Sequence, residues 1–273
     1  MPELPEIETI KTGLASHIID KIIINYEKKC KVLRQILSNN FDILLNARIL
    51  SIMRRAKYLL INLDNSFTIV IHLGMSGSFT IQPANYSSQK HDHVIFYLDN
   101  QQQLVFNDPR RFGMIYLLPQ EKLLDQQIFK ALGPEPLTEQ FNAGYLASKL
   151  AKRHKIIKNV IMDNNIVVGV GNIYASESLF RAKIHPLRPA YSLSHMEIID
   201  LVLAIKNVLI SSIAAGGTTL KDFINANSKP GYFQQELLIY NRAGKPCFIC
   251  SNIIRKIILA GRGSYYCGYC QVI

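Results

Sequence analysis

The spacing of apolar positions changes along the chain. Ile7, Ile10, Leu14 and Ile18 recur at three- and four-residue intervals, which predicts a short amphipathic helix near the N-terminus. Runs at 48–52, 58–63, 68–73, 78–81, 94–98, 103–106 and 114–118 are short, rich in β-branched or aromatic residues and separated by turn residues. They predict strands. Asp64-Asn65 and Asp99-Asn100 read as hairpin turns, and regular short strands of this kind predict a sandwich or barrel. From about residue 132 the pattern becomes helical, with segments predicted near 142–151, 155–162, 173–182 and 195–215. Gly133-Pro134-Glu135-Pro136 marks a domain boundary, because prolines stop helices and stiffen linkers. Gly216-Gly217 reads as a helix C-cap. The polar stretch 218–235 lacks clear periodicity and is long for a loop, which marks it as functional or mobile. The chain shows no internal repeat and no low-complexity tract.

Composition narrows the partners. The 273 residues are 48% hydrophobic, enough to bury a sizeable core and to exclude wholesale disorder. Lys plus Arg is 31 against 20 for Asp plus Glu, a formal charge of +11. That surplus points to nucleic acid, an anionic membrane or phosphorylated ligands. Tryptophan is absent, so any stacking or wedge role falls to Tyr, Phe, Met or Arg. The acidic, proline-rich start is the reverse of a signal-peptide n-region. The most apolar long stretch, 198–215, carries Asp200 and Lys206 and reads as a buried helix rather than a membrane span. Four of the five cysteines crowd into the last 27 residues, which favours a reduced intracellular chain with a terminal metal site. Cys30 reads as a core residue.

Cys247-Phe248-Ile249-Cys250 and Cys267-Gly268-Tyr269-Cys270 are two C-x-x-C pairs separated by 16 residues. The spacing is that of a structural four-cysteine zinc site, each pair taking one side of a tetrahedron. A redox pair or two disulfides is the competing reading. Four thiolates would leave no open position for water, so the metal would be structural. From 241 to 273 there are five basic residues, Arg242, Lys245, Arg255, Lys256 and Arg262, and no acidic one. That reads as a nucleic-acid contact or as a solvated surface. Arg262 stands out because Gly261 and Gly263 flank it and expose it at a turn.

The N-terminus is a candidate chemical group. Removal of Met1 would leave Pro2 as a secondary amine with a pKa of roughly 8. Such an amine forms a cationic iminium with an aldehyde-like carbon, a good electron sink of the Schiff-base class. For a bare Met-Pro start an ordinary capped terminus is the default. Glu3 continues the apolar helical stripe, Glu6 sits at its edge, and Glu8 points the opposite way. An acid on a buried stripe beside a terminal amine is a candidate general acid/base, although acids at a helix N-terminus also merely complement the dipole.

Six segments occur together in one order: Pro2-Glu3-Leu4-Pro5-Glu6-Ile7-Glu8, Arg54-Arg55-Ala56-Lys57-Tyr58-Leu59, His72-Leu73-Gly74-Met75-Ser76-Gly77, Asn107-Asp108-Pro109-Arg110-Arg111-Phe112-Gly113, Val168-Gly169-Val170-Gly171-Asn172-Ile173-Tyr174-Ala175-Ser176-Glu177 and the cysteine unit. In this the whole chain resembles the bacterial formamidopyrimidine-DNA glycosylase (Fpg, MutM) family. The sister endonuclease VIII group typically begins Pro-Glu-Gly-Pro and lacks the Asp-Pro-Arg-Arg-Phe-Gly loop, so the likeness is to the purine-lesion branch. The resemblance implies an α+β fold in three parts. These are a two-layered β-sandwich domain with flanking helices over 1–131, a helix–two-turns–helix domain over 132–236 and a zinc finger over 237–273. The stretch 218–235 would cap the lesion, and DNA would lie across the cleft between domains.

The resemblance also implies a bifunctional DNA glycosylase/AP lyase acting on 8-oxoguanine and formamidopyrimidines in duplex DNA. Pro2 would attack C1′ and displace the base, and Glu3 would protonate the sugar-ring oxygen. The iminium would drive β- and δ-elimination. Retained Met1 would block this chemistry. Lys57 and Arg262 would complete the catalytic set by gripping the backbone around the lesion, with His72, Asn172 and Tyr240 as further grips. Met75, Arg110 and Phe112 match the family's inserted triad, next to Arg111. Met as an adaptable wedge, Phe between bases and Arg on the orphaned base fit that task. Taken alone, Met75 and Phe112 would read as core residues. Glu6 matches a position near the flipped base, and His91 and Lys158 match DNA-contacting positions. Asn172 also has its own rationale, as it opens a predicted helix reached through glycines. One structural zinc on Cys247, Cys250, Cys267 and Cys270, no organic cofactor, no membrane, a monomer and a cytoplasmic, nucleoid-associated location complete the expectation. Gly268 and Ser264-Tyr265-Tyr266 depart from the common finger sequence. An endonuclease VIII-like enzyme for oxidised pyrimidines, or a non-enzymatic zinc-dependent DNA-binding protein, are the alternatives.

Overall fold

The computed structural model describes residues 2–273 except 36, 38, 39, 124 and 219–232. The chain divides into two compact units, Met1–Lys130 with Ala215–Gln234, and Ala131–Ala214 with Gln235–Ile273.

In the first unit the apolar stripe forms α1 (Leu4–Ile18). A strand that the sequence pattern does not predict follows, β1 (Ile23–Lys28); it buries only Ile23 and shows no apolar alternation. The short β-branched and aromatic runs form β2 (Ile49–Arg55), β3 (Tyr58–Leu63), β4 (Phe67–His72), β5 (Ser78–Pro83), β6 (Asp92–Leu98), β7 (Gln102–Asn107) and β8 (Met114–Pro119). Two four-stranded antiparallel sheets result, in the orders β2-β3-β4-β8 and β1-β6-β7-β5. The two predicted hairpin turns join β3 to β4 and β6 to β7. Register explains the core. Leu59 faces Ile71 and Ile61 faces Ile69 in one sheet. Val94 faces Phe106 and Phe96 faces Leu104 in the other. These side chains share one core with Ile7, Ile10, Leu14 and Ile18 of α1. An isolated helix of this length is marginal. Four buried stripe residues at roughly 1.5–3 kcal/mol each are what hold α1 in place.

Two local expectations change. Glu8 does not simply face solvent: it pairs with Lys11 and with Arg54 Nε at 2.6 Å, tethering α1 to β2. These cations hold its carboxyl below the usual range against the opposing effect of burial. Cys30 packs at the margin of the core while remaining partly exposed, and burial pushes its thiol up.

The second unit contains α3 (Ala143–Leu150), α4 (Ile157–Ile161), α5 (Asn172–Arg181) and α6 (His195–Ala214), preceded in the chain by the single-turn α2 (Gln127–Lys130) of the first unit. A buried 2.6 Å hydrogen bond between Tyr174 Oη and Ser212 Oγ joins α5 to α6. The chain ends in a hairpin of β9 (Arg255–Leu259) and β10 (Arg262–Tyr266). Ile239, Ile254, Tyr265 and Cys267 close a small core on Phe180 of α5. Among the described residues no helix is long and apolar enough to cross a membrane.

Candidate nucleic-acid site and zinc centre

At the N-terminus Glu3 caps α1. Its side chain accepts the Glu6 amide, and Glu6 Oε2 accepts the Glu3 amide at 2.8 Å, a reciprocal capping box. Both acids are 2% exposed, too buried to be ordinary dipole-complementing surface acids. Pro2 is buried directly before them. Glu6 Oε1 accepts the Thr218 amide at 2.8 Å. Gly217 makes this approach possible: its φ is +82°, and a Cβ there would sit 3.2 Å from the same oxygen. Thus Glu6, expected beside a flipped base, has both oxygens on backbone amides. The expected lesion-capping stretch lies outside the described residues over 219–232.

Met75, Arg110 and Phe112 come from two loops that one buried acid gathers. Asp108, fully buried, follows β7. Its Oδ1 accepts Ser76 Oγ at 2.6 Å and its Oδ2 accepts the Gly113 amide at 2.7 Å. Its carbonyl pairs with His93 Nε2 at 2.9 Å, and its amide donates to the His91 carbonyl at 3.1 Å. A Cβ on Gly74 would lie 2.4 Å from the Phe112 carbonyl carbon, so glycine is needed where the loops touch. The result leaves Met75 39% and Phe112 41% exposed, which removes both from the core. The Arg110 guanidinium lies 4.9 Å from the Phe112 ring centroid. Arg111 takes φ +55° in the same turn and is exposed. His91, at φ +75°, stands beside His93 with ring centroids 6.3 Å apart.

Lys57 follows Ala56, which takes φ +53° in the β2–β3 turn, and is 8% exposed. Tyr58 opposes His72 across β3 and β4, which places Lys57 near His72. Burial, then the charges of Lys57 and Arg34, push His72 down to about 4. Its Nδ1 accepts the Gly74 amide at 3.0 Å, so the neutral ring carries its hydrogen on Nε2. Arg34 is exposed on a loop whose backbone amide reaches the Gly113 carbonyl at 3.1 Å.

In the second unit Lys158, 1% exposed, donates to Asn172 Oδ1 at 2.7 Å and to Ser264 Oγ at 2.6 Å. Asn172, the first residue of α5, donates to the Gly263 carbonyl at 2.9 Å. Lys158, Asn172, Arg262 and Ser264 line a cavity of about 250 Å³. Two cations and a helix N-terminus make this an anion-binding arrangement. Tyr240 is set by Glu177. That fully buried carboxylate accepts the amides of Leu238, Ile239 and Tyr240 at 3.1, 2.9 and 2.8 Å.

The four cysteine sulfurs lie within 4.8 Å of one another. Cys247–Cys270 and Cys250–Cys267 are 3.9 and 3.4 Å apart. A bonded disulfide needs about 2.05 Å, whereas a tetrahedral zinc with Zn–S near 2.3 Å has edges of about 3.8 Å. The thiols fit one structural zinc ion and exclude the disulfide reading.

Sequence reasoning named exposed and buried members of these groups alike, Lys57 and Lys158 among the buried, and missed what positions them: Asp108, Ser76, His93, Glu177 and Ser264. For Asp108, Ser76, Glu177 and Ser264 the signal was their place inside the motif runs; His93 lies outside them.

Family models match in the same order. They are the formamidopyrimidine-DNA glycosylase N-terminal domain over residues 1–115, its H2TH domain over 132–224 and the zinc finger found in FPG and IleRS over 244–272. The formamidopyrimidine-DNA glycosylases of Rickettsia bellii strain OSU 85-389 and Rickettsia canadensis strain McKiel are 52% and 53% identical over 272 residues, covering 99% of each chain. Among solved structures, wild-type Lactococcus lactis Fpg (MutM) bound to N7-benzyl-Fapy-dG DNA superposes with TM-score 0.93 at 33% identity, over 100% of both chains. MutM from Thermus thermophilus gives 0.89 at 34%, over 99% of this chain and 98% of that one. With two packed sheets, a helical unit and a four-thiol finger carrying these motifs, the chain belongs to the formamidopyrimidine-DNA glycosylase family.

Proposed function

We propose that this chain is a bifunctional DNA glycosylase/AP lyase that removes 8-oxoguanine and formamidopyrimidines from duplex DNA. The observation that carries the reading is the buried Pro2-Glu3 pair at the start of α1, in a chain with full-length similarity to named glycosylases. Duplex lesions must leave the stack to reach such a pair. Met75 and Phe112 fill the gap and Arg110 bonds the orphaned base, as their exposed, Asp108-gathered loops allow. Arg111 and His91 supply further DNA contacts beside this wedge.

With Met1 removed, the Pro2 nitrogen forms a bond to C1′ as the C1′–N9 bond breaks and the base departs with a proton. Glu3 protonates O4′, and the ring opens to a C1′ iminium. Loss of a C2′ proton expels the 3′ phosphate, and a second elimination expels the 5′ phosphate. Lys57, His72, Asn172, Tyr240, Lys158 and Arg262 hold the phosphates, and Glu6 lies beside the everted base. Zinc on Cys247, Cys250, Cys267 and Cys270 shapes the finger and takes no part in these steps. The enzyme works in the cytoplasm, where the bacterial nucleoid is.

Borohydride trapping on an 8-oxoguanine duplex tests the reading. Processed wild-type chain is expected to form a covalent complex, Pro2→Gly a strongly diminished one, and Glu3→Gln is expected to bind DNA without excising the base. An undiminished adduct from Pro2→Gly removes Pro2 as the nucleophile. Faster turnover of thymine-glycol than of 8-oxoguanine would move the enzyme to the oxidised-pyrimidine class.

A further inference from the structure

The finger hairpin is a two-stranded ribbon whose tip, Ala260-Gly261, takes φ +47° and +74°. Arg262 is the first residue after that turn and is exposed. A lone ribbon has no third strand to steady it, so side chains must decide where its tip stands. Two anchors sit immediately after Arg262. The Gly263 carbonyl accepts Asn172 Nδ2 at 2.9 Å, and Ser264 Oγ accepts Lys158 Nζ at 2.6 Å. Lys158 also binds Asn172 Oδ1 at 2.7 Å, so both anchors belong to one network. Ser264 is 1% exposed, whereas its strand neighbour on the same face, Arg262, reaches the rim of the cavity.

From this geometry we infer that Ser264 is a positioning residue: its hydroxyl, held by Lys158, sets the hairpin tip so that the Arg262 guanidinium meets a DNA phosphate. The inference rests on the reading of Arg262 as a phosphate contact. It assigns the buried Lys158 a task besides charge. The ammonium is the joint between α4, the first turn of α5 and β10.

A double-mutant cycle on the zinc-loaded full chain tests this, with a duplex carrying a tetrahydrofuran abasic analogue as the probe. Ser264→Val and Ser264→Thr have nearly the same shape and differ in the hydroxyl. Ser264→Thr is expected to bind like the wild type. Ser264→Val is expected to lose roughly tenfold in affinity, and its salt slope is expected to fall by about 0.9, the share of one phosphate contact. In an Arg262→Ala background, Ser264→Val is expected to add nothing. Zinc content and the thermal midpoint report folding for every variant. Equal affinities of Ser264→Val and Ser264→Thr, or multiplicative losses in the cycle, overturn the inference. Unchanged affinity and slope in Arg262→Ala alone overturn the phosphate reading itself, and the two failures are thereby told apart.

Discussion

At the residue scale, His72 shows how burial selects a kind of contact. Burial and the flanking Lys57 and Arg34 keep its imidazole neutral, and Gly74 fixes the tautomer. On a phosphate, a neutral donor such as His72 would release no counterion, whereas a cation such as Lys57 would release one. His72→Ala is therefore expected to weaken DNA binding at pH 7 with an unchanged salt slope, and Lys57→Ala to reduce the slope by about 0.9. Titrations at several salt concentrations separate the two. The same burial links to stability. The folded pKa lies below the unfolded value, so between pH 6.5 and about 4 the unfolded chain takes up the proton first. Stability from this group is fully present above 6.5 and is lost as pH falls through that window, by on the order of 3 kcal/mol. Urea midpoints at pH 7 and pH 5 are expected to fall further for the wild type than for His72→Gln. An equal fall in both would show that the histidine is not the proton acceptor.

At the element scale, loops that expose hydrophobic and cationic tips need rigid supports. Asp108 supplies one, with Ser76, Gly113 and His93 as partners. Ser76→Ala removes one hydrogen bond from a fully buried carboxylate, and a cost of about 1–3 kcal/mol is expected. A lowered thermal midpoint checks that cost. If the loops form the wedge, turnover of paired 8-oxoguanine falls more than turnover of a preformed abasic site, which has no base to extrude. Equal losses on the two substrates would detach the loops from base eversion. The N-terminal helix was legible from the period of its buried stripe, and strands β2–β8 from their β-branched and aromatic content between turn residues. Strand β1 was not, because an edge strand with only Ile23 buried carries no such record. Asp108 was not legible either: a buried acid and a surface acid look alike until the backbone amides around it are placed.

At the scale of the whole molecule, the +11 charge is the excess of 31 cations over 20 anions, and the candidate DNA-contacting cations are divided between the two units. Lys57, Arg110 and Arg111 stand in one unit, and Lys158 and Arg262 in the other. The finger depends on its metal, because its core against Phe180 includes two of the four cysteines. Metal binding there is folding free energy. Stripping zinc with a chelator is expected to expose 244–272 to trypsin and to lower duplex affinity, with recovery when zinc is returned. Full affinity in zinc-free chain would remove the finger from the binding surface.

The sequence by itself determined α1, strands β2–β8, where the helical half begins, and which four thiols take the metal, because those depend on local composition, periodicity and short-range spacing. It also carried the motifs that mark the family. Tertiary structure decided which exposed residues are held in place and by what. Asp108 gathers the Met75 and Phe112 loops from 32 residues beyond Ser76. Glu177 sets Tyr240 from 63 residues away, and Lys158 reaches Ser264 across 106. Those contacts satisfy buried polar groups, and a buried group finds its partner in space rather than along the chain.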